Sequence, residues 1–261
     1  MPKPLRDVFD SVADLYDRAR PSYPGPIFDD LLTLAPPHPH VLEIGCGTGK
    51  ASVALAQRGC RLTGIELGKS LAAIARRNLA TFKTAKVLEA EFESWNPGPD
   101  RFDIIFAISA WHWIDPATGY RKTAEILKQD GLLAIVANEH AFPKDFDPFF
   151  SEIQPTYDAI GEAFDAWPPP TPDETPDLRG PISESGFFDF IESRRYLWTV
   201  DYDAEGYIDL LNTYSGHLVM EASKKETLYR AIREIARDRT IRKHYLSVLN
   251  VARRKPSCSF A

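Results

Sequence analysis

The sequence predicts an α/β protein built on a parallel, doubly wound sheet. Between residues 41 and about 137, short apolar runs alternate with longer amphipathic ones, the spacing of strands joined by crossover helices. Three of the later runs are nearly continuously apolar, as strands covered on both faces are. Where the first run stops, VLEIGCGTGK (41–50) opens a cluster of three glycines.

Each element follows from local pattern. VFDSVADLYDRARP reads as an amphipathic helix with Val8, Val12, Leu15 and Tyr16 roughly on one face, ended before Pro21. HVLEIG (40–45) is strand-like, and ASVALAQRG (51–59) has helical character. RLTGIEL (61–67) is the next strand, and LGKSLAAIARRNLATF (67–82) carries apolar residues at helical spacing under a basic outer face. AKVLEAEF (85–92), FDIIFAIS (102–109) and GLLAIVANE (131–139) are further strands; TGYRKTAEILKQDG (118–131) is a helix that Gly131 should stop. WPPPTPDETPDLRGP (167–181) holds six prolines, which predicts an irregular exposed loop or flap. FDFIESRRYLWTVDY (188–202) reads as a strand, helical patterns follow at 204–214 and 223–238, and HYLSVLNVARR (244–254) closes the chain as a strand.

Composition narrows the function classes. The 261 residues are 44% hydrophobic, enough for a globular core. A net charge of −6 argues against a dedicated nucleic-acid binder, which needs a basic face. Cys46, Cys60 and Cys258 are odd in number and include no CxxC pair, so neither a zinc site nor a disulfide framework is expected. Six histidines without paired ligand spacing give no metal site. MPKPLRDVFDS lacks the apolar core of a signal peptide, and no run approaches the roughly 20 apolar residues that span a bilayer. The expectation is a soluble cytoplasmic protein, monomer or homodimer, with no nucleic-acid or membrane partner.

The glycine turn selects among ligands. A phosphate-binding GxxxxGK[ST] loop fails, because Ile44 stands at the first glycine and Ala51 follows Lys50. A dinucleotide-binding GxGxxG fails as well, since Lys50 occupies the third glycine position; that nearly excludes nicotinamide redox chemistry. The observed pattern is Glu43, Gly45, Gly47, Gly49, placed between a strand and a helix. Glycine lets the backbone approach a ligand, and the following helix directs its amide-rich N-terminus there. Glu66 ends the second strand, 17 residues beyond Gly49, where an acid can accept from two ribose hydroxyls. Loop and acid together fit an adenosine-like ligand with no mandatory pyrophosphate.

VLEIGCGTGKAS followed by TGIELGKSL resembles the first two signatures of class I S-adenosylmethionine-dependent methyltransferases. LEAEFESW, FDIIFAISAWHWID and LKQDGLLAIV continue the resemblance in order, over about residues 8–140. The opening FDSVADLYDRARPSYP resembles small-molecule members related to the trans-aconitate and ubiquinone-type enzymes. The resemblance implies a single Rossmann-like domain over 1–261: a seven-stranded sheet, mostly parallel with an antiparallel terminal strand, plus helical cap elements. Its parts would be an N-terminal lid helix (1–40), a cofactor-binding core (41–140), a region of cap, loop and inserted helices with one sheet strand (141–243), and the closing strand (244–254).

The same resemblance assigns a cofactor and its contacts. S-adenosyl-L-methionine would be consumed and S-adenosyl-L-homocysteine released. Gly45, Cys46, Gly47 and Gly49 would approach its methionine portion and ribose, and Glu43 would orient the loop or the cofactor amino group. Glu66 would bind the ribose hydroxyls, and Leu67 beside it would also meet the cofactor. Glu91 would accept from the adenine amine, with Phe92 offering its backbone amide. Ser109 and Ala110 would lie under the methionyl group, while Tyr16 and Arg20 would close over the cofactor, with Pro21 and Tyr23 shaping that lid.

Methyl transfer needs a nucleophile placed in line with the sulfonium, and a general base only where the acceptor arrives protonated. His112, in ISAWHWID, is the candidate base, or a residue that only supports the loop; Trp111 and Trp113 would shield the sulfonium or wall a pocket. His140 is a second candidate. Arg194 or Arg195, and Tyr214, Ser215 and His217 in NTYSGHL, are candidates to meet the small-molecule acceptor. The expected reaction is transfer to an oxygen, carboxylate or hydroxyl. The rivals are a cofactor-binding regulatory module without turnover and an RNA or protein methyltransferase; SAWH stands where an amino-methylating NPPY or DPPY motif would lie.

Overall fold

A computed structural model describes residues 9–162, 167 and 169–256; Val8 and Cys258 lie outside them. The chain divides into two compact units. The first comprises residues 22–138, 176–196 and those from 247 onward. The second comprises the residues up to 21, 139–175 and 197–246.

The first unit carries the sheet. Its strands are β1 (His40–Ile44), β2 (Arg61–Glu66), β3 (Ala85–Glu89), β4 (Phe102–Ile108), β5 (Leu127–His140), β6 (Phe188–Tyr202) and β7 (Ile241–Arg254); the last three run on into the second unit. The order is β3-β2-β1-β4-β5-β7-β6. The pairs β3·β2, β2·β1, β1·β4 and β4·β5 are parallel. β7 runs the other way against β5: Ala141 bonds His244 at 3.0 Å, Asn138 bonds Ser247 at 2.7 Å and Ile135 bonds Asn250 at 3.3 Å, one number falling as the other rises. The expected mostly parallel sheet with an antiparallel terminal strand is therefore present.

Alternation along the strands builds two apolar layers. Val41, Leu62, Ile104, Phe106 and Leu132 pack with Phe28 and Leu31 of α2 (Gly25–Thr33), Leu55 of α3 (Lys50–Gln57) and Ala72 and Ala75 of α4 (Lys69–Asn78). Leu42, Ile44, Ile65, Ile105 and Leu133 pack on the other face with Tyr120 and Ala124 of α5 (Pro116–Ile126) and Ile182 of α8 (Arg179–Glu184). Helices on both faces make the doubly wound arrangement.

The second unit holds α1 (Ala13–Ala19), preceded by a 3-10 turn at Phe9–Val12, together with α6 (Phe149–Glu152), α7 (Gln154–Ala159), α9 (Ala204–Leu211), α10 (Ser215–Val219) and α11 (Ala222–Ile235). Phe149, Phe150, Tyr157, Tyr207, Leu210, Leu228 and Ile232 form its core.

Several boundaries differ from the sequence expectation. The helix read over 118–131 begins two residues earlier, capped where Asp115 accepts from the Thr118 amide at 2.8 Å, and it ends at Ile126. Gly131 is not its stop: it lies inside β5, at a bulge where Phe102 pairs Leu127 and Ile104 pairs Leu132, with Asp130 at φ 62°. The strand read over 85–92 ends at Glu89, so Glu91 and Phe92 stand in the turn after it. Three residues of the proline-rich stretch, 179–181, open α8, because a proline in a first helical turn loses no intrahelical hydrogen bond.

Candidate functional site

The glycine turn closes β1 against two neighbours. Gly45, Gly47 and Gly49 have φ of 64°, 56° and 85°. A Cβ on Gly45 would come within 2.7 Å of the Ala110 Cβ, so the backbone after β1 passes over the end of β4 at a distance only glycine allows. Gly49 then caps α3 in the left-handed conformation, with no side-chain cap. Ser109 is held at φ 54°, a conformation an L-residue adopts at some cost, while its amide stays bonded to the Val136 carbonyl at 3.0 Å. Gly45, Ser109 and Ala110 are thus brought together at the carboxyl edge of the sheet.

Two acids stand under the turn. Glu66, buried at the end of β2, accepts from the Gly47 amide through Oε2 and from the Gly68 amide through Oε1, both at 2.8 Å. Its carboxylate is braced by backbone at each oxygen and tethers the turn to the second strand. Glu43 is 1% exposed and accepts from Ser52 Oγ. Burial pushes its carboxyl up to about 8, with the Glu66 charge adding and the Ser52 bond opposing. At neutral pH Glu43 is mostly a neutral acid inside the turn. Cys46 is buried there too, its thiol pushed up by burial and by the charges of Glu43 and Glu66, which makes it an unreactive packing group.

The turn after β3 is fixed from another element. Phe92 is buried in the core layer, and Glu91 is half-buried with Oε2 accepting from Ser94 at 3.3 Å. Lys122 of α5 donates to the carbonyls of Phe92 at 2.6 Å, Glu93 at 3.1 Å, and Trp95. Three carbonyls from one short turn converge on a single ammonium. Sequence reading missed Lys122 and Ser52, since each lies in a helix where it reads as an ordinary polar position. Leu67, directly after Glu66, is a large apolar side chain left 41% exposed.

His112 is exposed in the 3-10 turn Trp111–Trp113 that follows β4, its ring 4.8 Å from Trp113. Trp111 is instead buried against Tyr120, with ring centroids 5.1 Å apart. It is core rather than a pocket wall, as the tight fit of Gly119 beneath it requires.

Most of the remaining candidates lie in the second unit. Tyr16 and Arg20 belong to the second unit, where Arg20 donates to Thr213 Oγ1 at 2.7 Å and lies 4.2 Å over the Tyr214 ring. His140 is wedged between Phe142 and Phe150, and burial holds it well below the usual histidine range. His217 faces the Tyr157 hydroxyl at 3.2 Å and is likewise lowered by burial, to about 4. Arg194 is engaged with Asp30 at 2.9 Å and Glu192 at 2.8 Å, so it serves strand-to-helix pairing. Among the described residues no cluster of metal-ligating side chains occurs, and no helix is long and apolar enough to cross a membrane.

Known proteins share the sequence pattern and the fold. Residues 42–135 match the family described as a methyltransferase domain. An uncharacterized methyltransferase of Mycobacterium tuberculosis is 33% identical over 134 residues, 50% of this chain and 51% of that protein. A ubiquinone biosynthesis O-methyltransferase of Stutzerimonas stutzeri is 34% identical over 100 residues, 35% of this chain and 40% of its own. A trans-aconitate 2-methyltransferase of Delftia acidovorans is 35% identical over 79 residues, 29% and 28% of the two chains. The chain thus spans about half the length of the first of these relatives and less of the others. A solved structure from Anaeromyxobacter dehalogenans, provisionally assigned as a type II methyltransferase, superposes with a TM-score of 0.63 at 20% identity, covering 90% of this chain and 97% of that one. Residues 42–135 thus resemble a methyltransferase domain, and the sheet shares the fold of the superposed structure.

Proposed function

We propose that the chain transfers a methyl group from S-adenosyl-L-methionine to an oxygen of a small organic acceptor by in-line displacement. The observation that carries this reading is the braced pair of turn and acid: Gly45 pressed on Ala110, and Glu66 fixed at both oxygens on the adjoining strand. The residues fit the cofactor chemically. A carboxylate with two oriented oxygens suits a ribose diol, and a turn without Cβ atoms admits a ligand against backbone.

When bound, S-adenosylmethionine supplies an electrophilic methyl on a sulfonium centre, leaving S-adenosylhomocysteine. The chain's own work is placement. Glu66 holds the sugar and Leu67 covers it. Glu91 and the Phe92 amide meet the adenine, in a turn that Lys122 holds in shape. Gly45 to Gly49 cradle the methionyl portion over Ser109 and Ala110. Glu43, kept neutral by burial, supports the turn from beneath without adding a second charge beside Glu66. His112 is the group to take a proton from an acceptor that arrives protonated.

The ribose role is tested by isothermal titration with S-adenosylhomocysteine. Glu66→Ala is expected to weaken binding at least tenfold while the variant remains folded; unchanged affinity refutes the assignment. Formation of S-adenosylhomocysteine from S-adenosylmethionine with a panel of small acids and phenols separates an enzyme from a binding module.

A further inference from the structure

The second unit contains two cationic side chains that lack acidic partners. Lys243, on β7, is 2% exposed. Among the described residues no carboxylate is paired with it, and its ammonium lies over ring faces, Tyr245 at 4.9 Å and Phe150 at 5.8 Å. Arg20 is half-buried and stands near enough for its charge to act on Lys243. Two of its N–H groups are spent on Thr213, at 2.7 and 2.8 Å; the rest of the guanidinium meets the rings of Tyr214 at 4.2 Å and Tyr16 at 5.1 Å. It too has no acidic partner among the described residues. The Tyr202 and Tyr245 hydroxyls, 3.0 Å apart, complete the surround.

Burying an ammonium without a counter-ion costs several kcal/mol, and a lysine used only to fill space gains nothing from that cost. Here a second cation is brought up beside the first, which worsens it. Burial and the Arg20 charge accordingly hold Lys243 well below the ordinary lysine range. Such an arrangement becomes favourable when an anion from outside supplies the missing charge. The guanidinium fork and the ammonium match the two oxygens of a carboxylate. The rings around them suit a carbon skeleton better than a hydrated phosphate.

We infer that Lys243 and Arg20, enclosed by Tyr214 and Tyr245, form a binding site for the carboxylate of a small organic acid. The anion site does not rest on the methyl-transfer reading above.

The test titrates the full chain, without S-adenosylmethionine, with succinate, citrate, dimethyl succinate and inorganic phosphate at constant ionic strength. Succinate or citrate should bind and dimethyl succinate should not. Lys243→Met should weaken acid binding at least tenfold while folding at least as stably as the parent, because it removes an uncompensated charge. A lysine that only filled the core would show the reverse, lost stability with acid binding intact. Should Lys243→Met not fold, Arg20→Met, at a half-buried position, is expected to weaken the same binding at least fivefold. Neither acid binding, or phosphate binding more tightly than both acids, overturns the proposal. S-adenosylmethionine takes no part in this titration, so its failure and that of the Glu66 experiment are independent.

Discussion

Gly45 and Gly64 are required for different reasons, and substitution separates them. At Gly45 the obstacle is twofold: a left-handed φ of 64° and an Ala110 Cβ only 2.7 Å from where a side chain would begin. Gly45→Ala therefore has to lift the turn off β4. Calorimetry should find affinity for S-adenosylhomocysteine reduced at least tenfold, and denaturant unfolding a loss of about 1–3 kcal/mol; unaltered affinity would mean that the turn is not where the ligand lies. At Gly64 the backbone is ordinary and the obstacle is Cys46, whose Sγ would lie 3.0 Å from an added Cβ. Gly64→Ala should cost about 1–3 kcal/mol by overpacking. Adding Cys46→Ala removes that sulfur, so the double variant should be more stable than the two single changes added together. Simple additivity would show that the thiol is not the group in the way.

Among the elements, the turn after β3 depends most on a distant partner. Lys122 gathers the carbonyls of Phe92, Glu93 and Trp95, so Lys122→Met leaves three acceptors without their donor. The turn should loosen while α5 persists: hydrogen exchange at the Trp95 amide, bonded to Glu91 at 2.9 Å, should speed up, and cofactor affinity should fall about tenfold. Unchanged exchange there would remove Lys122 from this role. Such a tie was not legible in the sequence, because TGYRKTAEILKQ presents Lys122 as one more polar helix position and its partners lie some thirty residues away. What was legible is what local pattern encodes. Val41, Leu42 and Ile44, and Ile104 to Ile108, are apolar on both strand faces because both sheet faces are covered, and the glycine turn declares itself by its own composition. The end of α5 was misread because Gly131 imitates a helix stop while serving a bulge whose need arises from pairing with β4. Helix α2 has no counterpart in the sequence reading; Pro24 is its cap and Pro26 sits in its first turn, where a proline is tolerated. Arg194 looked available until Asp30, far away in sequence, was found against it.

For the molecule as a whole, two buried ionisable side chains give folding stability opposite dependences on pH. Glu43 has its folded value raised to about 8 from an ordinary 4.5. Between those values the folded chain binds the proton and the unfolded chain does not, so this group's contribution is intact below about 4.5 and is lost as pH rises towards 8. The slope for one proton is about 1.4 kcal/mol per pH unit. Lys243 is shifted the other way, its folded value lying well below 10.5. In its window the unfolded chain holds the extra proton, so its penalty shrinks as pH climbs towards the ordinary lysine range. Glu43→Gln keeps an acceptor for Ser52 and removes the first titration; Lys243→Met removes the second. Urea unfolding at pH 5, 6.5, 8 and 9.5 should find Glu43→Gln gaining on the parent as pH rises to 8 and level thereafter. The advantage of Lys243→Met should decline towards the alkaline end. A constant offset between Glu43→Gln and the parent from pH 5 to 8 would mean that the acid under the glycine turn is ionised throughout, and the neutral support assigned to it there would have to be given up.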